Sequence, residues 1–155
     1  TLKLVKELSK HIKVFISSEN KLPEDLEQFK LPVSPEKLHD VLFYSNLYIG
    51  EGATTASECA MLGTPAIYVN SLSAGTLEEQ EKLGLLFSFR NPDRVLEKAL
   101  EILSNPKFKA ENRNRRDNML KQTIDVTAFM VWFVENYPDS VKIMRDNPEY
   151  QERFR

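Results

Sequence analysis

The stretch Tyr48-Ile49-Gly50-Glu51-Gly52-Ala53-Thr54-Thr55-Ala56-Ser57-Glu58-Cys59-Ala60-Met61-Leu62-Gly63-Thr64-Pro65 decides the fold. With Leu47, it opens as a short apolar run that stops at a glycine, the pattern of a buried strand over 47–49. Residues 53–62 carry helix-compatible residues, and Gly63 is placed to end that helix in the left-handed conformation. Thr64-Pro65 then prevents its continuation and leads to a second strand over 66–69. Ala56, Cys59, Ala60 and Gly63 recur at helical spacing, so one side of the helix is small enough to lie close on a sheet. Strand, glycine turn, helix and strand make one βαβ unit.

The same rhythm extends in both directions. Downstream, residues 70–75 form a small-residue loop, 77–83 a helix closed by Gly84, and 85–89 another strand. Asn91-Pro92-Asp93 opens a helix to Leu103, and Ser104-Asn105-Pro106 stops it. Upstream, Leu2, Val5 and Leu8 at a spacing of three predict a helix over 1–10. Lys13-Val14-Phe15-Ile16-Ser17 reads as a buried strand, and 19–33 as a loop with one helical turn. Ser34-Pro35-Glu36 offers a hydroxyl cap, a first-position proline and an acid for the helix dipole, ahead of Leu38, Val41 and Leu42. The expectation is a three-layer α/β/α domain with a mainly parallel sheet of about four or five strands.

The remainder is helical. Residues 111–121 are very polar, and Asp125 caps a helix reaching Val134 that is apolar on nearly every side. Such a helix is expected to be buried between layers or against another domain, or to drive association of copies. Tyr137-Pro138 ends it, and 141–155 is weakly amphipathic. The chain thus divides into 1–122, lacking the first strand of such a domain, and C-terminal helices over 123–155. It begins at Thr1 and not at Met, so a fragment or processed chain is expected.

With 155 residues, 41% of them hydrophobic, the chain can bury a core of its own. A formal charge of −2 lacks the basic excess of nucleic-acid-binding domains, so no nucleic acid partner is expected. The longest apolar run, Ala128 to Val134, is far below the roughly 20 residues of a membrane span. The single cysteine, Cys59, excludes an intrachain disulfide and fits a reducing, cytoplasmic setting. It sits on the small helix face and reads as a packing residue. His11 and His39 are the only histidines, and His39 reads as a surface residue. No metal-ligand spacing occurs, and no metal or cofactor is expected. Lys107, Lys109, Arg113, Arg115, Arg116 and Lys121 read as a solvated helix face, with attraction of an anionic acceptor as the sharper alternative.

One cluster carries chemistry. Gly50 and Gly52 let a backbone approach a ligand, and the following helix start offers unpaired N–H groups and a positive dipole end. Thr54 and Thr55 add hydroxyls there, and Glu58 follows on the same side, one turn deeper. A carboxylate at that depth suits the two hydroxyls of a ribose. Ordinary capping threonines and a solvated Glu58 explain the same residues without a ligand.

The run Gly52-Ala53-Thr54-Thr55-Ala56-Ser57-Glu58, with Gly63-Thr64-Pro65 after it, resembles the donor-binding motif of the GT-B glycosyltransferase superfamily. It is similar to the C-terminal domain of peptidoglycan N-acetylglucosaminyltransferases and to UDP-N-acetylglucosamine 2-epimerases. The nearest resemblance is to an uncharacterised prokaryotic family related to both, over about residues 12 to 135. That resemblance implies a Rossmann-like domain binding a UDP-linked sugar, with Gly52, Thr54 and Thr55 at the diphosphate and Glu58 at the ribose. It places Val33 and Ser34 by the base, and Ser17 and Ser18 along the same edge, with Gly75, Thr76 and Gln80 as weaker candidates. It also implies a missing N-terminal domain of the same parent, an enzyme that transfers or epimerises, and no catalysis by this half alone. Ala53 departs from the family's second glycine, and Glu51 sets a negative charge beside the phosphate position. The alternatives are a non-catalytic α/β interaction module and another Rossmann-like ligand-binding module.

Overall fold

Three parallel strands, β1 (Tyr48–Gly50), β2 (Ala66–Val69) and β3 (Leu86–Phe89), form one sheet in the order β1-β2-β3. The computed structural model describes residues 2–72 and 75–155. Thr1 of the expected first helix and Ser73 and Ala74 of the expected 70–75 loop lie outside the described residues. Ile49, Ile67 and Phe87 stand in register across the sheet.

Side chains alternate between the two faces, as strand geometry requires. Tyr48, Ala66, Tyr68 and Leu86 meet Leu38 and Leu42 of α3 (Leu38–Tyr44), Ala56, Cys59 and Ala60 of α4 (Ala53–Leu62), and Leu77 of α5 (Gly75–Lys82). Ile49, Ile67, Val69, Phe87 and Phe89 face the other way. They meet Leu4 and Leu8 of α1 (Leu2–Leu8), and Val95, Ala99 and Ile102 of α6 (Val95–Ser104). Helices therefore cover both faces, which gives the expected three layers. The continuous apolar runs in these strands follow from burial on both sides.

The chain's punctuation sets the ends of α4. Gly63 has φ +72° and its N–H donates to Ala60 O, while Thr64 N–H donates to Cys59 O. Thr64 is fully buried and its Oγ1 donates to Leu42 O at 2.8 Å, so the residue that breaks α4 also ties it to α3. Gly84, with φ +69°, closes α5 in the same way.

Five expectations are corrected. The sheet has three strands among the described residues, not four or five. Residues 13–17 form only an isolated bridge, Ile16 with Lys30. Ile16 N–H donates to Phe29 O and Ile16 O accepts from Leu31 N–H, so its backbone groups are taken by the turn after α2 (Glu24–Glu27). Phe15 of that run stays largely exposed. Ser34 makes no side-chain cap: Pro35–Lys37 form a single 3-10 turn in which Lys37 N–H donates to Ser34 O.

The basic segment is only partly a solvated face: Lys107 and Lys121 are exposed, but Lys109, Arg113 and Arg116 are half-buried. Its half-buried residues lie on α7 (Phe108–Leu120), which runs across the ends of α3 and α4. Lys109 Nζ donates to Phe43 O and Ser45 O at 2.8 and 2.6 Å, where α3's last carbonyls need donors. Burial, and then the Arg113 charge, hold its pKa below the usual lysine range. The Arg113 guanidinium lies 4.8 Å from the Phe43 ring centroid, and Arg116 reaches Met61 O. Long cationic side chains here cover apolar surface and satisfy carbonyls with one residue.

The last correction concerns α8 (Val126–Glu135). Asp125 Oδ1 caps it by accepting from Ala128 N–H at 2.9 Å, as its position predicts. None of its residues is buried, however. Phe129 and Trp132 pack on Tyr150 and Phe154 of the terminal 3-10 segment, with the Trp132 and Tyr150 rings 4.8 Å apart. Phe133 O accepts from Ser140 Oγ of α9 (Asp139–Asp146). These elements satisfy one side of α8 only, so Val126, Met130 and Val134 stay 57%, 60% and 72% exposed. No described helix is long and apolar enough to cross a membrane.

Cys59 packs against the sheet with no exposed surface, and burial, with Glu58's charge adding to it, pushes its thiol up to about 12 from 9.0. The folded chain is expected to resist a disulfide reagent at pH 8 and to react on adding denaturant, read by absorbance. The unfolded thiol ionises first, so this residue's contribution to stability is complete below about pH 9 and declines as pH rises toward 12. Fast labelling without denaturant would show that α4 lifts from the sheet.

Candidate functional site

A cavity of about 700 Å³ opens beside α4, lined by His39, Ala53, Thr54, Ser57, Glu58, Met61, Leu62 and Thr76. That size falls within the range of small-molecule sites. Its walls come from three helices: α3 gives His39, α5 gives Thr76, and α4 gives the rest. Thr54, Ser57, Glu58 and Met61 recur at three or four residues, the side of α4 opposite its buried small face.

Among the described residues, no side chain caps the start of α4, whose N-cap residue is Gly52. The first amide of this turn to bond within the described residues is Ala56 N–H, to Gly52 O at 3.0 Å. The amides of Ala53, Thr54 and Thr55 precede it, so the positive end of a ten-residue helix faces outward beside the cavity.

Two glycines before α4 have different reasons. A Cβ on Gly50 would lie 2.5 Å from Tyr48 Cζ, so the folded Tyr48 ring itself requires a glycine there. A Cβ on Gly52 would make only ordinary contacts, 3.5 Å to Thr55 Oγ1 and 3.6 Å to Tyr48 Oη. Its φ of −83° suits any residue. No internal contact demands a glycine at position 52.

Tyr48 supports this loop from below. Burial pushes its phenol up, while the nearby Thr55 hydroxyl and Gly52 amide pull the other way. Thr55 is half-buried near Tyr48 and does not line the cavity, whereas Thr54 is exposed and does. Asn70 Nδ2 donates to Glu51 O at 3.3 Å and ties the segment after β2 to the same loop. The Glu51 side chain is exposed.

Thr54, Glu58 and Thr76 are therefore brought together at one cavity, with Gly52 at the α4 entrance. Gln80 is buried behind them: its Nε2 donates to Ser57 Oγ at 2.9 Å, which holds a hydroxyl on the cavity wall. Gly75 is exposed at the start of α5, with open space around it. Val33, Ser34, Ser17 and Ser18 are exposed and lie outside the cavity lining. Ser18 Oγ is occupied locally by Asn20 N–H.

His39 is the residue that sequence reading missed. Its Nε2 lies 3.3 Å from Glu58 Oε2. It is exposed, as expected, but faces the one carboxylate on the cavity wall. Nothing in the spacing of residues 39 and 58 announces this, because the contact depends on how α3 packs against α4. Among the described residues, no group of three or more His, Cys, Asp and Glu is placed to hold a metal. No known protein-family model matches the chain, and comparison with curated proteins finds no significant relative.

Proposed function

We propose that this cavity binds the nucleotide part of a UDP-linked sugar. The chain would then be the nucleotide-sugar-binding half of a GT-B-type glycosyltransferase or sugar-nucleotide epimerase, on a Rossmann-like frame and inactive by itself. The observation that carries the reading is Glu58 on the cavity wall one turn below Thr54 and the uncapped start of α4. A diphosphate at the open amides would be stabilised by the helix dipole and the Thr54 hydroxyl. Glu58 would accept from the ribose hydroxyls, and the sugar would point toward Thr76. In the parent enzyme, the same dipole would stabilise charge developing on the leaving diphosphate. Glu51 and the absence of Thr55 from the cavity lining favour a second reading, an interaction module without a nucleotide.

Calorimetric titration with UDP and UDP-N-acetylglucosamine, with ADP as control, separates the two. Saturable binding of the uridine ligands is expected, weakened by about 1–3 kcal/mol in Glu58→Ala, where hydrogen bonds to the ribose are lost. Gly52→Ala makes no internal clash and is expected to stay folded, losing no more than a helix-cap preference, yet to bind less tightly, since a ligand needs that space. Heats that fail to saturate at millimolar UDP, or equal ADP binding, would overturn the proposal.

A further inference from the structure

We infer that His39 is a positioning residue for Glu58: it holds the carboxylate in the cavity so that a ligand's cis-diol meets an acceptor already in place. The inference rests on the nucleotide reading above and adds a residue and a function for it.

Glu58 lies on an exposed side of α4, and its side chain is 37% accessible. A glutamate so placed has several rotatable bonds and would otherwise sweep solvent, so a ligand would have to freeze it on binding. His39 Nε2, 3.3 Å from Oε2, gives the carboxylate a neighbour on the adjacent helix before any ligand arrives. An imidazole has only two side-chain torsions and is itself carried by α3, which Thr64 and Lys109 anchor through Leu42 O, Phe43 O and Ser45 O. Glu58 Oε1 has no partner among the described residues, so an acceptor stays free for a hydroxyl donor.

Folding does not explain the pair. Exposed ion pairs contribute little to stability, and the His39 side chain is 66% accessible. Other pairs, such as Lys10–Glu7 and Lys98–Glu101, join residues three apart in the sequence. His39–Glu58 instead bridges two helices, at the wall of the cavity. Gln80 does for Ser57 what His39 does for Glu58: a side chain on the next helix fixes a polar group that lines the same space. Two preset groups, a carboxylate and a hydroxyl, suit a polyhydroxylated ligand better than a flat apolar one.

The experiment has two parts on the full chain. In the ligand-free protein, NMR should show proximity between the His39 ring protons and the Glu58 side-chain methylenes. Calorimetry should then compare UDP with 2′,3′-dideoxyuridine diphosphate. His39→Leu is expected to weaken UDP binding about threefold to tenfold and to leave the dideoxy ligand's affinity unchanged. His39→Gln, which keeps an N–H donor, should retain most of the affinity. Absence of the NMR contact overturns the pairing, whatever the ligand does. An equal loss with both ligands overturns the positioning role, because His39 would then touch another part of the nucleotide. The contact without any UDP binding by the wild type overturns the nucleotide reading, and with it this use of a pair that nonetheless exists.

Discussion

Gly63→Val is expected to lower the free energy of unfolding by about 3–5 kcal/mol, a large share of what a domain of this size possesses. Two effects add. Gly63 has φ +72°, where a side chain costs roughly 1–2 kcal/mol and a β-branched one more. A Cβ there would also lie 2.7 Å from Arg113 Cγ and 3.2 Å from Arg113 Cα. The second atom is backbone, so a change of rotamer cannot relieve the contact. Helix α7 would have to move, and it is pinned by Lys109 on Phe43 O and Ser45 O, and by buried Asn112 donating to Leu85 O. Gly84→Ala is the internal control. Its φ is +69°, but its Cβ would meet only the flexible Arg115 side chain, at 3.5 Å. It should cost about the conformational part alone, roughly 1–2 kcal/mol. Urea denaturation followed by circular dichroism measures both. If Gly63→Val cost no more than Gly84→Ala, α7 would not be seated on the end of α4.

That contrast bears on what the sequence discloses. The limits of α4 and β2 were legible because glycine and proline act locally: Gly63 stops a helix and Pro65 prevents its return, whatever surrounds them. Asp125 as the cap of α8 was legible for the same reason. The strand expected over 13–17 failed because its apolar run records a preference for extended structure, not whether a neighbour is available. Ile16 found the turn at residues 29–31 instead. The arginines of α7 misled because a long cationic side chain serves equally on a solvated face or laid over Phe43. At the candidate site, Thr54 and Glu58 were readable from helical spacing on one element. His39 and Gln80 were not, because each acts across a helix–helix contact set by the sheet beneath.

The second large effect lies at Gly50, where the glycine is a matter of space and not of backbone angle, since the positive-φ glycines among the described residues are Gly63 and Gly84. Residues 48 and 50 of a strand share a face, and the Tyr48 ring folds back over the position a Cβ would take, with Cζ at 2.5 Å and Cε1 at 3.2 Å. Gly50→Ala must therefore expel the ring from the cluster that holds Leu42, Ala56 and Tyr68. It also takes the phenol away from its place beside Thr55 and Gly52. Loss of an aromatic side chain's burial predicts a cost of about 2–3 kcal/mol. The test is a double-mutant cycle. Tyr48→Val alone pays for the missing ring, but once the ring is gone Gly50→Ala should cost close to nothing, since alanine restricts the unfolded chain more than glycine does. A coupling of about 2 kcal/mol or more between the two positions is the expected result. Additive costs would mean that the ring does not cover Gly50. Nucleotide binding supplies a separate reading of the same cycle. In the double variant, stability should return to that of Tyr48→Val, while UDP affinity stays low, because no phenol then steadies Gly52 and Thr55 beneath the open end of α4.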